Sequence, residues 1–532
     1  MATTTRSKAE RRLGAARRTL ACLIGLGTSA AHAQVQAPAP APAPPQRWGM
    51  ELGVSSQLTW TSNSSFGEGV IGAGPVSSDT IIELRPRILL RSNGARLRLS
   101  GSAALGGIAY AKNTQPGAVE PTADVSARLE AIERLFFLEA GYRASQTSEN
   151  PFGVRADAAS TTNRLTTSQW RFSPVIEGVA AGDLRYSLRN DNTWTREIGA
   201  DSAAATGAGG YFGRVLASIE QPPRPFGWRI EAERSLTQYD DPVETDLAIA
   251  TARLRLNYAV GADWSVGVRG GAERNNADPS LDEWRSIAGV EARWQPSPRT
   301  SLSVFREKRF FGSGWDLAFT HRQPRLAWSL GLNRGVDTTP AELFRLPASD
   351  NVVGLIDAMF TTRYPDPVER GRIVQDYIAR QGLPNATQGP ITLFSQRFSI
   401  VTSRRASVSF TGVRNSLTLS GYATRTEDAL DSGSLANGHA ADNNTQKGAA
   451  LVFSHRLTPL ASVSTTADWS RIRALEALLP DESTQQGLRV QITLQAAPLT
   501  STFIGGRYRK LESNVAAEGR EGSVYVGLDH RF

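Results

Sequence analysis

The stretch Glu521–Phe532 reads EGSVYVGLDHRF and alternates without a break. Val524, Val526, Leu528, His530 and Phe532 share one parity, while Ser523, Tyr525, Gly527, Asp529 and Arg531 share the other. A strand points successive side chains to opposite faces, so this segment separates an apolar medium from a polar one. It ends on a bare aromatic, a habit of bacterial outer-membrane β-barrels and not of soluble sheets. The segment reads as the last strand of such a barrel, with Phe532 as the terminus that the barrel-assembly machinery handles during membrane insertion.

The same period recurs upstream. Met50, Leu52, Val54, Leu58 and Trp60 share one parity, as do Thr80, Ile82, Leu84, Ile88 and Leu90 opposite Glu83, Arg85, Arg87 and Arg91. Asn93-Gly94 is a two-residue hairpin signal, after which Leu97, Leu99, Gly101, Ala103 and Leu105 return opposite Arg96 and Arg98. Later examples include Phe136/Leu138/Ala140/Tyr142, Trp264/Val266/Val268, Leu326/Trp328/Leu330/Leu332 and Leu488/Val490/Ile492/Leu494. Tight turns (Ala259–Asp263, Gln295–Thr300, Arg322–Arg325, Leu457–Leu460, Ala497–Thr500) alternate with long polar stretches (Ser62–Ser78, Gln146–Thr161, Glu197–Ala208, Glu427–Thr445). Short turns on one side and long loops on the other are the outer-membrane barrel arrangement. The expected fold is an all-β, transmembrane antiparallel β-barrel of roughly 22 strands. The even count places both ends of the barrel on the short-turn, periplasmic side.

Composition agrees with that reading. The chain has 532 residues and a mean hydropathy of −0.29, and it contains no apolar run of the roughly twenty residues that a membrane helix needs. Its N-terminus does read as a secretory signal. Met1–Arg18 is basic, Thr19–Gly27 is apolar, and Ala31-His32-Ala33 fits the cleavage rule, so cleavage is expected between Ala33 and Gln34. The only cysteine, Cys22, and much of the formal charge of +8 fall within residues 1–33, which argues against disulfides, cysteine metal sites and nucleic-acid binding in the mature chain. Residues 34–47, which include APAPAPAPP, are a proline-rich periplasmic linker ahead of the barrel at 48–532. The compartment expected is the outer membrane of a Gram-negative bacterium, with outer-membrane lipid around the wall.

One segment, 335–390, lacks alternation and reads as a long extracellular loop. Asp366 stands at an N-cap, Pro367 in the first turn and Glu369 at the capping-box position. Val374, Tyr377 and Ile378 then recur at helical spacing before Gly382 and Pro384 stop the run. A helix is expected over about 367–381, either folded into the lumen, lying over the mouth as a lid, or decorating the surface.

Candidate chemistry is sparse. His321, His439, His455 and His530 have no nucleophile or carboxylate at a diagnostic spacing, so no catalytic residue, cofactor or metal site is expected. The polar strand faces say more. Arg85, Arg87, Arg91, Arg96, Arg98, Arg185, Arg189, Arg253 and Arg255 all have lumen-facing parity, with Glu83, Glu139, Glu231, Glu233 and Asp183 among them. Such residues either pair into a charge ladder or bias a pore toward anions. Trp60, Trp194, Trp264, Trp284, Trp294, Trp315 and Trp469 suit interfacial girdles.

Several motifs resemble an uncharacterised family of outer-membrane β-barrel proteins associated with the PEP-CTERM/exosortase system. They are Thr59-Trp60-Thr61-Ser62-Asn63, Ser78–Pro86 (SDTIIELRP), Leu135–Gln146 (LFFLEAGYRASQ), Phe172-Ser173-Pro174 and Asp366–Pro384. The resemblance implies a role in exopolysaccharide production or export across the outer membrane; joined to the barrel reading, the expectation is a non-enzymatic, porin-like channel or export component with polysaccharide as a partner. The alternative is a surface barrel with a closed lumen that binds a partner or matrix through its extracellular loops. A TonB-type importer is disfavoured, because that class carries a large N-terminal plug and strand patterning here begins at Met50.

Overall fold

The computed structural model describes residues 48–67, 76–148, 150–155, 163–199, 209–240, 246–276, 282–337, 352–384, 387–391, 399–428, 443–475 and 480–532. The cleavage site Ala33/Gln34, the linker and His439 lie outside the described residues. The strands are β1 (Trp48–Thr61), β2 (Asp79–Asn93), β3 (Leu97–Tyr110), β4 (Ala118–Ile132), β5 (Phe136–Thr147), β6 (Leu165–Ala180), β7 (Leu184–Gly199) and β8 (Gly209–Gln221). There follow β9 (Phe226–Tyr239), β10 (Leu247–Ala259), β11 (Trp264–Asn275), β12 (Arg285–Ser297), β13 (Thr300–Arg309), β14 (Gly312–Arg322) and β15 (Leu326–Asp337). After two helices, α1 (Val352–Phe360) and α2 (Pro367–Gln381), come β16 (Ser399–Thr411), β17 (Asn415–Asp428), β18 (Asn444–Arg456), β19 (Ala461–Ala474), β20 (Glu482–Ala497), β21 (Thr500–Ser513) and β22 (Gly519–Arg531).

Each strand pairs antiparallel with its sequence neighbours, and β1 pairs with β22, so the 22-stranded sheet closes on itself. Closure leaves no edge with unpaired backbone groups, which is what a hydrocarbon environment demands. The register follows the sequence parity, with shifts beside the β4–β5, β12–β13 and β20–β21 turns. Leu52 faces Ile88, Trp60 faces Val524, and Leu488 faces Ala467, all on the outer face. The outer face is apolar, with Met50, Ile82, Leu84, Val268, Val290, Ile492 and Val526 exposed. Aromatics mark its two rims. Trp60, Trp170 and Trp194 lie toward the long loops, while Trp264 and Trp294 (5.7 Å between rings) and Phe226 and Tyr258 (4.9 Å) lie toward the short turns. This is an outer-membrane barrel, and its place is the outer membrane of a Gram-negative bacterium.

Phe532 closes the seam. Its backbone N–H donates to Leu52 O at 2.9 Å, and its ring, 72% exposed, meets His530 edge-on at 4.7 Å. A second clasp crosses the seam inside. Arg87 on β2 reaches over Gly53 of β1 to Asp529 of β22, with both guanidinium nitrogens bonded at 2.5 and 2.6 Å. A Cβ at Gly53 would lie 3.0 Å from Arg87 Nε, so glycine provides the space for that crossing.

The insertion between β15 and β16 departs from the sequence expectation in two ways. It holds two helices where one was expected, and of the three placements open to that loop both helices take the first, folded into the lumen. The strands also bound it differently from 335–390, since β15 runs to Asp337 and β16 begins at Ser399. The first helix, VVGLIDAMF, has almost no polar face and therefore no sequence signature that separates it from a short buried strand. Both helices lie low in the barrel. Val352, Leu355, Ile356, Met359, Val374, Ile378 and Leu383 form one cluster with Ala327 of β15 and Val452 of β18, both close to periplasmic turns.

Candidate functional site

The lumen is the candidate site, and its two sides differ in chemistry. From β4 to β13 the inward faces carry a paired charge belt. Glu139 accepts from Arg128 (2.8 Å) and Arg189 (2.6 Å), and Asp191 lies between Arg189 and Arg214 at 2.6 Å from each. Glu231 gathers Arg229 (3.1 Å), Arg253 (3.6 Å) and Arg255 (3.1 Å); Glu307 gathers Arg253 (3.2 Å), Arg269 (3.3 Å) and Arg309 (3.1 Å). Asp191, Glu231 and Glu307 are buried, and burial is tolerated because each carboxylate has at least two guanidinium partners.

From β16 to β20 the inward face is built of small hydroxyls instead. Ser403, Ser407, Ser409, Thr411, Ser416, Thr418, Ser454, Ser462, Ser464 and Thr493 are all buried there. This face seats the helices. Asp366 caps α2, its carboxylate accepting from Glu369 N at 2.9 Å. At the other end Leu383 N donates to Ile378 O (3.0 Å) and Gly382 N to Ala379 O (3.2 Å), a Schellman ending with Gly382 at φ +61°. The last carbonyls of α2 would otherwise lack partners. Barrel serines supply them, since Ser454 Oγ donates to Gln381 O at 2.7 Å and Ser462 Oγ to Arg380 O at 2.9 Å. Asp357 of α1 accepts from Arg370 Nε at 2.8 Å, tying the two helices together. Farther along, the Gln446 side chain holds the backbone of Ile391 by both N–H (2.8 Å) and C=O (2.9 Å). Tyr377 is half-buried, and burial pushes its phenol above the ordinary range, so it stays neutral.

Between the seated helices and the wall formed by β1–β6 and β19–β22 a cavity of about 1870 Å³ remains. It runs from Ile108 and Glu120 near the extracellular rim to Asn93, Gln495 and Leu499 at the periplasmic turns. Arg85, Arg87, Arg91, Arg98, Arg143 and Arg507 line it, with Glu83, Asp124 and Asp529 among the acids. Arg85, Arg91, Arg98 and Arg143 have no carboxylate partner among the described residues; Glu83 and Asp124 are the unpaired acids of the same wall. The uncompensated charge is therefore positive.

At the extracellular rim the β5–β6 connection crosses the mouth as a strut. Phe152 packs on Ile472 and Ala474, and Val154 packs on Phe66, Leu511 and Ala516. Gln485 Nε2 donates to Gly153 O at 2.7 Å, and Arg155 reaches Gly389 O and the Tyr422 hydroxyl, each at 2.8 Å.

The nine arginines singled out by parity thus separate into groups. Arg85, Arg87, Arg91 and Arg98 line the cavity, and Arg189, Arg253 and Arg255 are held in the charge belt. Arg185 lies on β7 away from the cavity lining, and Arg96 sits in the β2–β3 turn and not on a strand. Pro367, Val374, Ile378 and Gly382 line the cavity from the helix side, whereas Tyr377 turns away from it. His321, His455 and His530 lie on the outer face near the periplasmic rim, bonded to Thr300 (2.8 Å), Asn415 (2.5 Å) and Thr500 (2.8 Å). They are rim residues. The hydroxyl-lined seat was not recognised from sequence, although the S-x-S-x-T run at Ser407, Ser409 and Thr411 carries a signal for it: inward positions of small hydroxyls mark a wall that something else must cover.

No family model matches this chain, and no curated protein matches it. Solved structures similar in fold include the siderophore receptor PirA from Acinetobacter baumannii, at 10% identity and TM-score 0.46, covering 91% of this chain and 80% of that one. The FrpB iron transporter from Neisseria meningitidis aligns at 7% identity and TM-score 0.46 over 91% and 82%. A ferric enterobactin receptor from Pseudomonas aeruginosa in complex with enterobactin aligns at 10% identity and TM-score 0.44 over 90% and 81%. The likeness is one of barrel architecture and assigns no residue or ligand to this chain.

Proposed function

We propose that this protein is a non-enzymatic conduit of the outer membrane whose lumen is partly filled by its own β15–β16 insertion. The observation that carries the reading is the cavity beside α1 and α2, which extends between the two rims and is lined by arginines without carboxylate partners. An open porin-like bore does not describe this lumen, because helices occupy its hydroxyl-lined side. Rings of arginine favour anions, so the solute expected is hydrophilic and neutral or anionic. Exopolysaccharide as cargo is supported by the sequence resemblance and is the first substrate class to test. The alternative, a barrel that binds through its loops with a closed lumen, draws support from the β5–β6 strut.

Planar-bilayer recording of the refolded protein under a salt gradient separates these readings, run beside a variant lacking Val352–Leu383. A conductance with mildly anionic reversal potential that rises in the deletion supports a conduit restricted by the insertion. Silence in both proteins overturns it and leaves the loops as the functional surface.

A further inference from the structure

The face of α2 that turns away from the large cavity borders a second, smaller one of about 330 Å³. It lies beside the periplasmic β18–β19 turn, with Arg456 and Pro459 on its rim. Three aromatic rings line it. Phe360 meets Tyr364 edge-on at 6.2 Å and Tyr377 edge-on at 5.6 Å. Three guanidinium groups surround them, from Arg363, Arg380 and Arg456, and no carboxylate belongs to the lining. Arg363 lies 5.5 Å from the Tyr364 ring centroid. The Arg380 side chain is 68% exposed, its Nε donating to the Asp376 backbone carbonyl at 3.4 Å and its guanidinium 4.0 Å from the Asp376 carboxylate, and Arg456 is anchored through one nitrogen to the Val413 carbonyl.

Three cations gathered at one small site whose lining holds no carboxylate, with the Asp376 carboxylate no nearer than 4.0 Å to Arg380, are costly unless a ligand or solvent offsets them. The volume sits at the low end for small-molecule sites, too small for a folded partner and large enough for a single ring. Aromatic walls provide apolar faces for a ring, and guanidinium groups provide forked donors for a carboxylate. From this arrangement we infer that the periplasm-facing side of the insertion is a binding site for a small ring-bearing carboxylate. Two sources share that chemistry, an acidic sugar unit and an aromatic carboxylate. The site does not depend on conduction, so it stands or fails separately from the conduit reading.

The test is calorimetric titration of the full-length refolded barrel in detergent micelles with galacturonate, benzoate, galactose and sulfate. Binding of galacturonate or benzoate is expected, at least tenfold tighter than galactose or sulfate, and weakening as salt rises. Whichever of the two carboxylates binds identifies the source. The double variant Arg363→Ala/Arg380→Ala should weaken binding at least tenfold, and Tyr364→Ala should weaken the ring-bearing ligand without changing sulfate. Among the described residues no hydrogen bond or ion pair joins the Arg363, Tyr364 or Arg380 side chain to a barrel strand, and heat-modifiable gel migration checks that each variant folds. Galactose binding as tightly as the carboxylates would overturn the charge requirement, and sulfate binding as tightly would overturn the ring requirement. Carboxylate binding that survives the double variant would place the ligand elsewhere. If a variant does not fold, the wild-type ligand panel alone still decides.

Discussion

Ile356→Ala tests what keeps the insertion in place. Ile356 has 0% of its surface exposed and sits among Val352, Met359, Val374 and Ile378 against Ala327 and Val452. Truncating a fully buried isoleucine costs about 2–5 kcal/mol, depending on how far the site collapses around the void. At about 1.4 kcal/mol per factor of ten, the ratio of seated to released insertion falls roughly 30-fold to several-thousand-fold. The ladders of β1–β22 do not involve this residue, so the barrel should keep its heat-modifiable migration. Two assays read the release. Single-channel records should show longer or larger openings, and limited proteolysis should cut between Val352 and Leu383 at least tenfold faster than in wild type. An unchanged cleavage rate together with unchanged openings would refute the argument. It would mean that the polar anchors, and not the apolar cluster, hold the insertion.

Gly382→Ala should act in the same direction with a smaller effect. The left-handed φ of +61° costs a side chain about 1–2 kcal/mol, and a Cβ there would lie 2.9 Å from Thr493 Oγ1; faster proteolysis of the insertion is the readout. Arg85→Glu combined with Arg143→Glu reverses two of the unpaired charges in the cavity, and the reversal potential should move toward cation selectivity without loss of folded barrel. Asp191→Asn leaves Arg189 and Arg214 facing each other without their shared carboxylate; about 3–5 kcal/mol of destabilisation is expected, seen as a lower unfolding midpoint in denaturant titration.

The strands were legible because a barrel wall has one rule for every residue, outward to lipid or inward to the lumen, and a period of two records it directly. Leu488, Val490, Ile492 and Leu494 needed no tertiary information to be placed. The second helix was legible for a different reason, since Asp366, Pro367 and Gly382 are punctuation set by local backbone chemistry. The first helix was not, because VVGLIDAMF has Asp357 as its one polar side chain, and nine residues with so little polar contrast do not separate a short helix from a buried strand. The fate of the arginines was hidden as well. Parity sends Arg85 and Arg253 to the same lumen, but only the neighbouring strands decide whether a carboxylate waits opposite. Arg253 meets Glu231 and Glu307 through strands β9 and β13, whereas Arg85 lies against Gly106.

That difference explains why the lumen divides as it does. A helix brought against a wall of long charged side chains would be held off by them and would have to strip their water. Against Ser454, Ser462 and Ser464 it can approach closely, and the hydroxyls do more than leave room. They donate to the carbonyls at the end of α2, the groups a buried helix terminus cannot satisfy by itself. The hydroxyl face and the Schellman ending at Gly382 therefore solve one problem from two directions. The unpaired arginines of β2, β3 and β5 line the cavity beside that seat and take no part in holding the helices. An insertion seated on hydroxyls and apolar contacts, with no disulfide holding it, is also one that binding energy of a few kcal/mol could displace. This is why the release of α1 and α2, and not the integrity of the barrel, is the quantity to measure in the Ile356→Ala and Gly382→Ala variants.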